Sequence, residues 1–464
     1  MDTSIKQIMK IVIDSLTEVV EKSLDGGMNF FELSKNIEIA TNAVGLEMIK
    51  GSLEHMDKVL KDSAQRKKSY HVQRNKDKRE ITTVHGTVEF ERTYYRHKEN
   101  KSYIYLLDNM IDLEKYERID PYCKAQIIEN SADMSYAKAA KVATPAHISR
   151  QSVKNTIREI GVISNHAHSL EEKDRKKEVR NLYIEADEDH ISINGGKNKI
   201  MKLVYVYEGA EYVSKNRRRL IGARYFTGNM TPDDLWQEVA EYTYEAYAYD
   251  KIENIYLAGD GASWIKTGLD YLPRSKFVLD HYHLNKYVKI ITAHDNAIKA
   301  DLWEALQKKD KQSALKIIEQ AKSSVEVETK RKAIADAKTY IRNNWVGIEN
   351  LYGEEKYRCS TEGHISHILS SRLSSRPLVW SLLGVDEMAR MRTYRANGGN
   401  IPNYYNEQRK QTKKGTAAVK LHKKTIAKAS RGYFGSFDPD TMTDMPVLIN
   451  PEFKWLKELS RYSA

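Results

Sequence analysis

Two aspartates end predicted buried strands, and their positions suggest metal chemistry. Asp187 ends the run NLYIEAD, and Asp260 ends the run NIYLAGD just before Gly261. A carboxylate at the end of a buried strand costs several kcal/mol unless a partner compensates it. In a sheet where the first and fourth strands lie side by side, these two acids would be neighbours, and two like charges so close require a cation. The predicted cation is Mg²⁺.

Paired carboxylates of this kind suit phosphoryl transfer. Two ions about 4 Å apart can activate an attacking oxygen and neutralise a leaving one. A third carboxylate normally completes such a cage and should come from a helix packed on the same sheet. Simpler readings stay open, because Asp-Gly is a common turn signal and because Glu185 or Asp189 could take the place of Asp187.

The elements that must position these acids begin near residue 181. The runs NLYIEAD, IMKLVYVYEG and RRRLIGARYFTG predict three strands, and TPDDLWQEVAEYTYEAY predicts a helix with Thr231 as its N-cap. A strand (NIYLAGD), a helix (ASWIKTGLDYL) and a fifth strand (SKFVLD) follow. After Asp280 the pattern stays helical for about sixty residues. The order predicts one mixed α/β sheet with a helical insertion.

The first 64 residues carry apolar residues at helical spacing. A basic run follows, and alternating apolar residues around His85 and Gly86 predict a hairpin. The basic run is either a solvated loop with an edge hairpin or an element that contacts phosphates. In the second interpretation Arg66, Lys67 and Lys68 bind DNA, together with a basic tail at 408–424.

Three short capped helices are predicted between residues 119 and 165. Ser149 can start the last of them and Gly161 can end it. The pattern fits a helix-turn-helix whose last helix presents Arg150, Gln151, Lys154 and Asn155, side chains that bond base edges and phosphates. A plain helical subdomain is the alternative.

Composition limits which partners and which cellular location the protein can have. The chain has 464 residues and a net charge of +11, which favours a polyanionic partner such as nucleic acid. No run approaches the length of a membrane span, so a cytoplasmic, nucleoid-associated protein without a membrane partner is expected. Two cysteines, Cys123 and Cys359, are too few for a disulfide framework and are predicted to be buried.

Four phrases together resemble the bacterial insertion-sequence DDE transposases of the ISLre type, distant relatives of the Mutator-like enzymes. The phrases are YIEADEDHI, LAGDGASWIK, VLDHYHLNKY and STEGHISHILSSRLSSRP. The resemblance covers nearly the whole chain. It implies a ribonuclease H-like five-stranded sheet with flanking helices, a helical insertion, and an all-α amino-terminal region with the helix-turn-helix.

The resemblance also implies the ligand set. Asp187 would be the first metal ligand, Asp260 the second and Glu362 the third, around two Mg²⁺ or Mn²⁺ ions. Three other acids near Glu362 could approach the sheet instead. These are Glu349, Glu354 and Glu355.

Other residues near the predicted site have more than one interpretation. The resemblance implies that Asp280, His281 and His283 support the metal ligands or face DNA, and the alternative is that they are simple packing residues. A zinc site at His281 and His283 would need further cysteine or histidine ligands, which are absent nearby. Arg372 and Arg376 suit phosphates or a solvated helix face. His364 and His367 either face the active site or form a surface pair, and Trp264 and Trp345 are predicted core residues.

The resemblance implies a transposase that cuts double-stranded DNA at the element's terminal inverted repeats and joins the ends to target DNA, working as a dimer or larger homo-oligomer. A DNA-binding protein without chemistry, and a nuclease without strand transfer, are the alternatives. The predicted segments are residues 1–64 (helical), 65–118 (basic segment and hairpin), 119–165 (helix-turn-helix), 180–280 (catalytic core, first part), 281–350 (insertion), 351–400 (core, last part) and 401–464 (basic tail).

Overall fold

The structure is a computed structural model that describes most of the chain between residues 29 and 412. The described residues are 10, 13–14, 17–19, 21, 29–167, 176–214, 217–353 and 361–412, with backbone only at 197, 217, 361, 362 and 412. The chain forms two compact units, Met1–Arg158 with Pro402–Ala464, and Glu159–Ile401. Cys123 is buried, as predicted, whereas Cys359 lies outside the described residues.

A long helix and a three-stranded antiparallel sheet form the core of the first unit. The helix Phe30–Asp62 begins with a capping box between Asn29 and Glu32. The strands are β1 (Tyr70–Thr83), β2 (Gly86–His97) and β3 (Tyr103–Tyr105). Short helices Ala64–Ser69 and Leu106–Met110 flank them.

The predicted hairpin around His85 and Gly86 is confirmed. Thr83 pairs with Gly86, which turns the chain at a φ of +127° that favours glycine. The alternating side chains Ile81, Val88 and Phe90 are buried with Leu60 of the long helix. Most of the basic run is therefore strand β1 rather than a loop.

The three helices predicted between residues 119 and 165 are present. They are Pro121–Ser131, Tyr136–Ala143 and Arg150–Ile160. Ser149 Oγ accepts the backbone N–H of Ser152 at 3.1 Å, which caps the third helix, and Gly161 follows that helix with a φ of +68°.

The described part of the predicted basic tail is a helix of the first unit, Ile401–Thr412. Its Arg409 forms a buried ion pair with Glu117, in which Nη1 lies 2.7 Å from Oε1. Arg409 is thus engaged by a carboxylate, which corrects its predicted role in holding phosphate. Residues 413–424 of the predicted phosphate contact lie outside the described residues.

The second unit contains a five-stranded mixed sheet. Its strands are β4 (Asn181–Ile193), β5 (Lys197–Tyr207), β8 (Arg224–Gly228), β9 (Asn254–Gly259) and β10 (Ser275–Leu279), in the order β10-β9-β4-β5-β8. β4, β9 and β10 are parallel to one another, and β5 is antiparallel to both of its neighbours. The predicted pairing of the first and fourth strands is confirmed.

One prediction for this sheet was wrong in detail. The run RRRLIGARYFTG is not one strand, because only its second half forms β8. The first half is β7 (Arg217–Ile221), which pairs with β6 (Gly209–Ser214) in a separate two-stranded ribbon.

Helices cover both faces of the mixed sheet. Leu182, Ile184 and Ala186 of β4 point to a large apolar core that includes Trp236 and Trp264. Trp345 is buried in the same core, so both predicted core tryptophans are confirmed. On the opposite face, the helix Thr361–Ile365 packs on β4 and the helix Leu382–Ala396 packs on β8.

The predicted helical insertion contains only helices. The helices of this unit up to residue 353 are Pro232–Ala246, Ser263–Lys266, Gly268–Tyr271, His281–Thr292, Ile298–Gln307, Lys311–Ser323, Glu328–Asn343 and Trp345–Leu351. The last segments are Thr361–Ile365, a π-helical turn Ser366–Ser370, Ser371–Leu373 and Leu382–Ala396. Among the helices described, none combines the length and apolar character that crossing a bilayer requires.

Candidate active site

Three aspartates stand side by side on three adjoining parallel strands. Asp187 lies inside β4, which continues to Ile193 rather than ending at this acid as predicted, and Asp260 and Asp280 directly follow β9 and β10. Glu185 of β4 pairs with Ala258 of β9, so the same register sets Asp187 opposite Asp260. Leu279 of β10 pairs with Gly259, and the N–H of Asp280 donates to the Gly259 carbonyl at 2.9 Å. Parallel pairing therefore brings together acids that are far apart in sequence.

Asp187 is a buried carboxylate with a strongly shifted pKa. Its Oδ1 accepts the N–H of Glu188 at 2.8 Å. Burial raises the pKa of Asp187 to about 6, and the charges of Asp260 and Asp280 act in the same direction. The carboxylate is therefore held where its charged form needs a nearby cation.

Asp260 ends β9 and also begins a tight turn. Its Oδ1 accepts the N–H of Ala262 at 2.8 Å, while Gly261 turns the chain at a φ of +91°. A Cβ at position 261 would collide with the amide of Asn344. Tyr340, from the helical insertion, donates its hydroxyl to the Asp260 carbonyl at 2.5 Å. The turn reading and the metal reading of Asp260 are therefore compatible.

The second oxygen of each carboxylate is available. Within the part of the chain that the structure describes, neither Asp187 Oδ2 nor Asp260 Oδ2 accepts a hydrogen bond. Oxygens of this kind are the ligands that Mg²⁺ and Mn²⁺ prefer.

Asp280 and His283 form a pair beside these two acids. Asp280 Oδ1 caps the helix His281–Thr292 through the N–H of Tyr282 at 3.0 Å, and its Oδ2 accepts His283 Nδ1 at 2.8 Å. That hydrogen bond raises the pKa of His283, and the charges of Asp187 and Asp260 add to the effect. The hydrogen bond and the neighbouring acids thus favour the charged form of His283. His281 is different, because its exposed ring stacks on Trp303.

The structure separates Asp187 from its two rivals on β4. Glu185 is fully buried and accepts hydrogen bonds from the hydroxyls of Tyr205 and Tyr207. Asp189 accepts Ser374 Oγ at 2.9 Å on both carboxylate oxygens. Both rivals are engaged by hydroxyl groups, which leaves Asp187 as the acid of β4 that faces Asp260.

The predicted third acid, Glu362, lies in the helix Thr361–Ile365, which packs on β4. The side chain of Glu362 is not among the described side chains. Two residues further, His364 stacks on Tyr205 with ring centroids 4.7 Å apart, so this helix lies on the face of the sheet that carries Glu185. Burial lowers the pKa of His364. His367 is exposed, so the two histidines do not form a pair.

The rivals of Glu362 are only partly described. Glu349 accepts Trp345 Nε1 at 2.8 Å, in a helix that packs on the edge strand β10. Glu354 and Glu355 lie outside the described residues.

The carboxylates fit divalent ions in donor chemistry. Asp187 and Asp260 supply hard oxygen ligands from adjoining strands. Across the described side chains, no group of three or more acids, histidines and cysteines is arranged to hold an ion. The third ligand of the predicted set is Glu362, whose side chain is not among those described.

The predicted DNA-reading side chains of the third helix lie together on its surface. Val153, Ile157 and Ile160 are buried, as predicted. Arg150, Gln151, Lys154 and Asn155 are exposed, and Gln151 Nε2 donates to Asn155 Oδ1 at 2.8 Å.

Two of the five other predicted DNA contacts need correction. Arg66 is half-buried, donates to the carbonyl of Lys61 and lies over the ring of Tyr95. Arg372 is buried with its guanidinium 4.8 Å from the Trp380 ring, so it does not face solvent. The remaining three, Lys67, Lys68 and Arg376, are exposed.

Sequence reasoning missed two features near the sheet. Tyr340 reaches Asp260 across 80 residues of chain, and no local pattern signals such a contact. The ribbon of β6 and β7 was missed because the run RRRLIGARYFTG was taken as one strand, although Gly222 interrupts it.

Comparison with known proteins places this arrangement in a family. The model of the uncharacterised protein family UPF0236 matches residues 23–410. UPF0236 protein TTE2489 of Caldanaerobacter subterraneus subsp. tengcongensis is 40% identical over 422 residues, which cover 90% of this chain and 89% of the relative. Another relative from that organism, whose name joins eleven designations, is 40% identical over 420 residues, covering 90% of this chain and 88% of the relative.

A more distant relative comes from Streptococcus gallolyticus. It is named UPF0236 protein in vanSb 3'region and is 25% identical over 338 residues, which cover 69% of this chain and 73% of the relative. Because the family match spans most of the sequence and the Caldanaerobacter proteins align over nearly their whole length, the chain belongs to the uncharacterised protein family UPF0236.

Proposed function

We propose that this protein is a DDE transposase of an insertion sequence, which cuts DNA at the element's ends and joins those ends to target DNA in a reaction that depends on divalent metal ions. The observation that carries the proposal is the register that sets Asp187 opposite Asp260 on adjoining parallel strands. A like-charged pair with one buried member is unfavourable for a purely structural purpose, whereas a metal-dependent enzyme requires neighbouring carboxylates.

The topology of the sheet supports a ribonuclease H-like core. The strand order, with the first strand between the second and the fourth, is β10-β9-β4-β5-β8. The second strand is antiparallel to its neighbours, and the other two pairings are parallel. A core of that type would carry acids on the first strand and just after the fourth, where Asp187 and Asp260 lie.

Asp187 and Asp260 would hold the ions, with Glu362 as the third ligand. Two divalent ions held there would activate the attacking oxygen and neutralise the leaving one. Tyr340 fixes the backbone at Asp260, and Asp280 orients His283 beside the carboxylates through a hydrogen bond. The side chains therefore place the scissile phosphate rather than form a covalent bond to it.

The chemistry balances without a further reactant. Water forms a bond to phosphorus as the bond from phosphorus to the 3′ oxygen breaks, which frees a 3′-hydroxyl at the element's end. That hydroxyl then attacks a target phosphodiester, and a target 3′-hydroxyl leaves. The second step makes one phosphodiester for each one that it breaks.

Recognition of the element's ends is assigned to the helix Arg150–Ile160. Its exposed Arg150 and Lys154 suit phosphates, and Gln151 and Asn155 suit base edges. The net charge of +11 supplies a general attraction to DNA. Because two ends must be joined in one reaction, a dimer or larger assembly is the expected working form.

One relative favours transposition over a simple nuclease. A name that joins eleven designations fits a sequence that one genome encodes many times. Repeated copies are the product expected of an enzyme that moves its own coding region. This observation concerns that relative, and it supports the same activity for the present chain through their 40% identity.

The decisive experiment combines the purified full chain with DNA that flanks its coding region. Pre-cut and uncut end fragments are incubated with a supercoiled plasmid target and MgCl₂, MnCl₂ or EDTA. Metal-dependent nicking at the fragment ends and joining of the ends to the plasmid are expected. Asp187→Asn and Asp260→Asn should lose both products.

The possible outcomes separate the rival functions. Cleavage without joined products would identify a nuclease and refute the transposase. Binding of the end fragments without cleavage in either metal would identify a DNA-binding protein that has lost chemistry. Asp189→Asn is the matched control, because that acid lies on the same strand but is engaged by Ser374.

A further inference from the structure

The ribbon of β6 and β7 leaves the sheet of the second unit as a separate arm. It joins β5 to β8 and pairs only with itself, with Tyr212 opposite Arg218 and Glu211 opposite Arg219. Successive residues of a strand point to opposite faces. Tyr212 is 62% exposed and Val213 is 56% exposed, so both faces of the arm are open within the described chain.

The base of the arm is firmly held. The N–H of Glu208 donates to the Ile221 carbonyl at 2.9 Å, which closes the arm where it leaves the sheet. The Glu208 carboxylate forms an ion pair with Lys177 and accepts the hydroxyl of Tyr247 at 3.1 Å. Gly222 bends the chain at a φ of +65°. The arm is therefore fixed at its root although its strands bury little surface.

An exposed two-stranded arm gains little stability from burial, so a binding role accounts for it better than a structural one. Residues 209–221 contain four basic residues and a single acid, Glu211. Arg218 and Arg219 are exposed in the structure, and Arg218 lies 4.5 Å from the centre of the Tyr212 ring and donates to its hydroxyl. Arg219 forms an ion pair with Glu211 that is open to solvent, so it is a weak pair that a phosphate can displace, unlike the buried pair of Arg409. The charge favours a polyanion. Pairing of this arm with the same arm of a second copy would set like charges against each other.

The strand that leads into the arm runs away from the aspartates. β5 is antiparallel to β4, and Leu203 pairs with Asp187. The chain from Leu203 to Tyr207 therefore runs toward the amino end of β4, away from Asp187, before the arm begins. An arm so placed would bind DNA away from the bond that is cut.

We infer that the β6–β7 ribbon is a DNA-binding arm that contacts the sugar-phosphate backbone of double-stranded DNA through Arg218 and Arg219, away from the reacting phosphate. The inference rests on the proposed function for the nature of the partner. It adds an interaction surface outside the helix-turn-helix. The arm contributes affinity and does not take part in the chemical step.

The test measures binding of the full chain to a linear duplex several helical turns long, without metal, over a range of salt concentration. Arg218→Ala/Arg219→Ala should weaken binding about tenfold at physiological salt and lower the slope of log affinity against log salt by about 1.8, since two phosphate contacts are lost. Arg218→Lys/Arg219→Lys keeps the charge and should retain most of the binding.

Lys330→Ala/Lys332→Ala is the matched control, because it removes the same charge from an exposed helix of the same unit. Equal loss in both double variants would overturn the inference, as would unchanged binding in the arm variant. A change in the mass of the assembly by light scattering, without a change in DNA affinity, would identify the arm as a protein interface and would also overturn it. Because binding is measured without metal, a failure of DNA cleavage would refute the proposed function and leave this result standing.

Discussion

Asp187 and Asp260 occupy matching positions on adjoining parallel strands, the first inside β4 and the second one residue beyond β9. Neither is brought there by its neighbours in sequence. The pairing of β4 with β9 fixes their relative position, and burial raises the pKa of Asp187, so a bound cation would stabilise its charged form. This relationship leads directly to the first prediction.

Mg²⁺ should stabilise the protein through these two acids. We expect thermal unfolding of the full chain to shift upward in MgCl₂, by an amount equivalent to about 2.7 kcal/mol at a hundredfold excess over the dissociation constant. Asp187→Asn and Asp260→Asn should lose this shift, because each removes a ligand. Asp189→Asn should keep it. Differential scanning calorimetry with and without metal measures the effect, and an undiminished shift in the Asp260 variant would refute the ligand assignment.

Glu185 should matter for stability and not for metal binding. Its buried carboxylate accepts hydrogen bonds from Tyr205 and Tyr207, and Glu185→Ala should lower the free energy of unfolding by about 2 kcal/mol because it leaves those hydroxyls without an acceptor. Urea titration checks the value. The shift caused by Mg²⁺ should be unchanged, and its loss would move the metal site from Asp187 to Glu185.

Glu362 and Glu349 compete for the place of the third ligand. Glu362→Gln should lower the rate of metal-dependent cleavage about a thousandfold, the effect of losing several kcal/mol of charge stabilisation. Glu349→Gln should leave the rate close to normal, because that carboxylate is engaged by Trp345. Single-turnover cleavage of an end fragment measures both. The reverse order of effects would assign the third ligand to Glu349.

Substitutions on the exposed face of the helix Arg150–Ile160 should change DNA affinity and DNA sequence preference separately. Arg150→Ala/Lys154→Ala should weaken binding to every duplex and reduce its salt dependence, since phosphate contacts are lost. Gln151→Ala/Asn155→Ala should instead reduce the preference for the element's ends by about tenfold. Competition binding with end and random duplexes distinguishes the two effects. If neither pair changes binding, the three helices are a plain structural subdomain.

The Glu117–Arg409 pair should make the first unit sensitive to acid. Burial alone would raise the pKa of Glu117, but hydrogen bonds from Arg409, Lys124 and the Glu114 N–H outweigh it and lower the pKa from 4.5 to about 2. The folded pKa is thus below the unfolded one, so the stability is present above pH 4.5 and is lost as the pH falls toward 2.

Arg409→Met should therefore lower the free energy of unfolding by about 3 kcal/mol at neutral pH, because it removes one partner of a buried pair. The difference from the wild type should shrink as the pH falls below 4.5. Lys410→Met is the control, since Lys410 is exposed in the same helix. Thermal unfolding across this pH range measures the effect, and a difference that does not depend on pH would contradict the assignment.

Local chemistry in the sequence determined most of the elements. Alternation of apolar residues predicted β4, β9 and β10, and the caps Ser149 and Thr231 predicted where two helices begin. These signals act over a few residues, so they survive without knowledge of the fold. They also pointed to Asp187 and Asp260 as candidates, while Glu185 and Asp189 stayed open as alternatives to Asp187.

Only the tertiary structure decided which charged groups are available. Glu185 is engaged by tyrosines on a neighbouring strand, Arg372 is buried against Trp380, and Arg409 is paired with an acid 292 residues away. In the sequence, each of these residues is indistinguishable from a solvated charge. Burial and pairing depend on contacts between distant segments, and those contacts are set by strand register and helix packing rather than by neighbours along the chain.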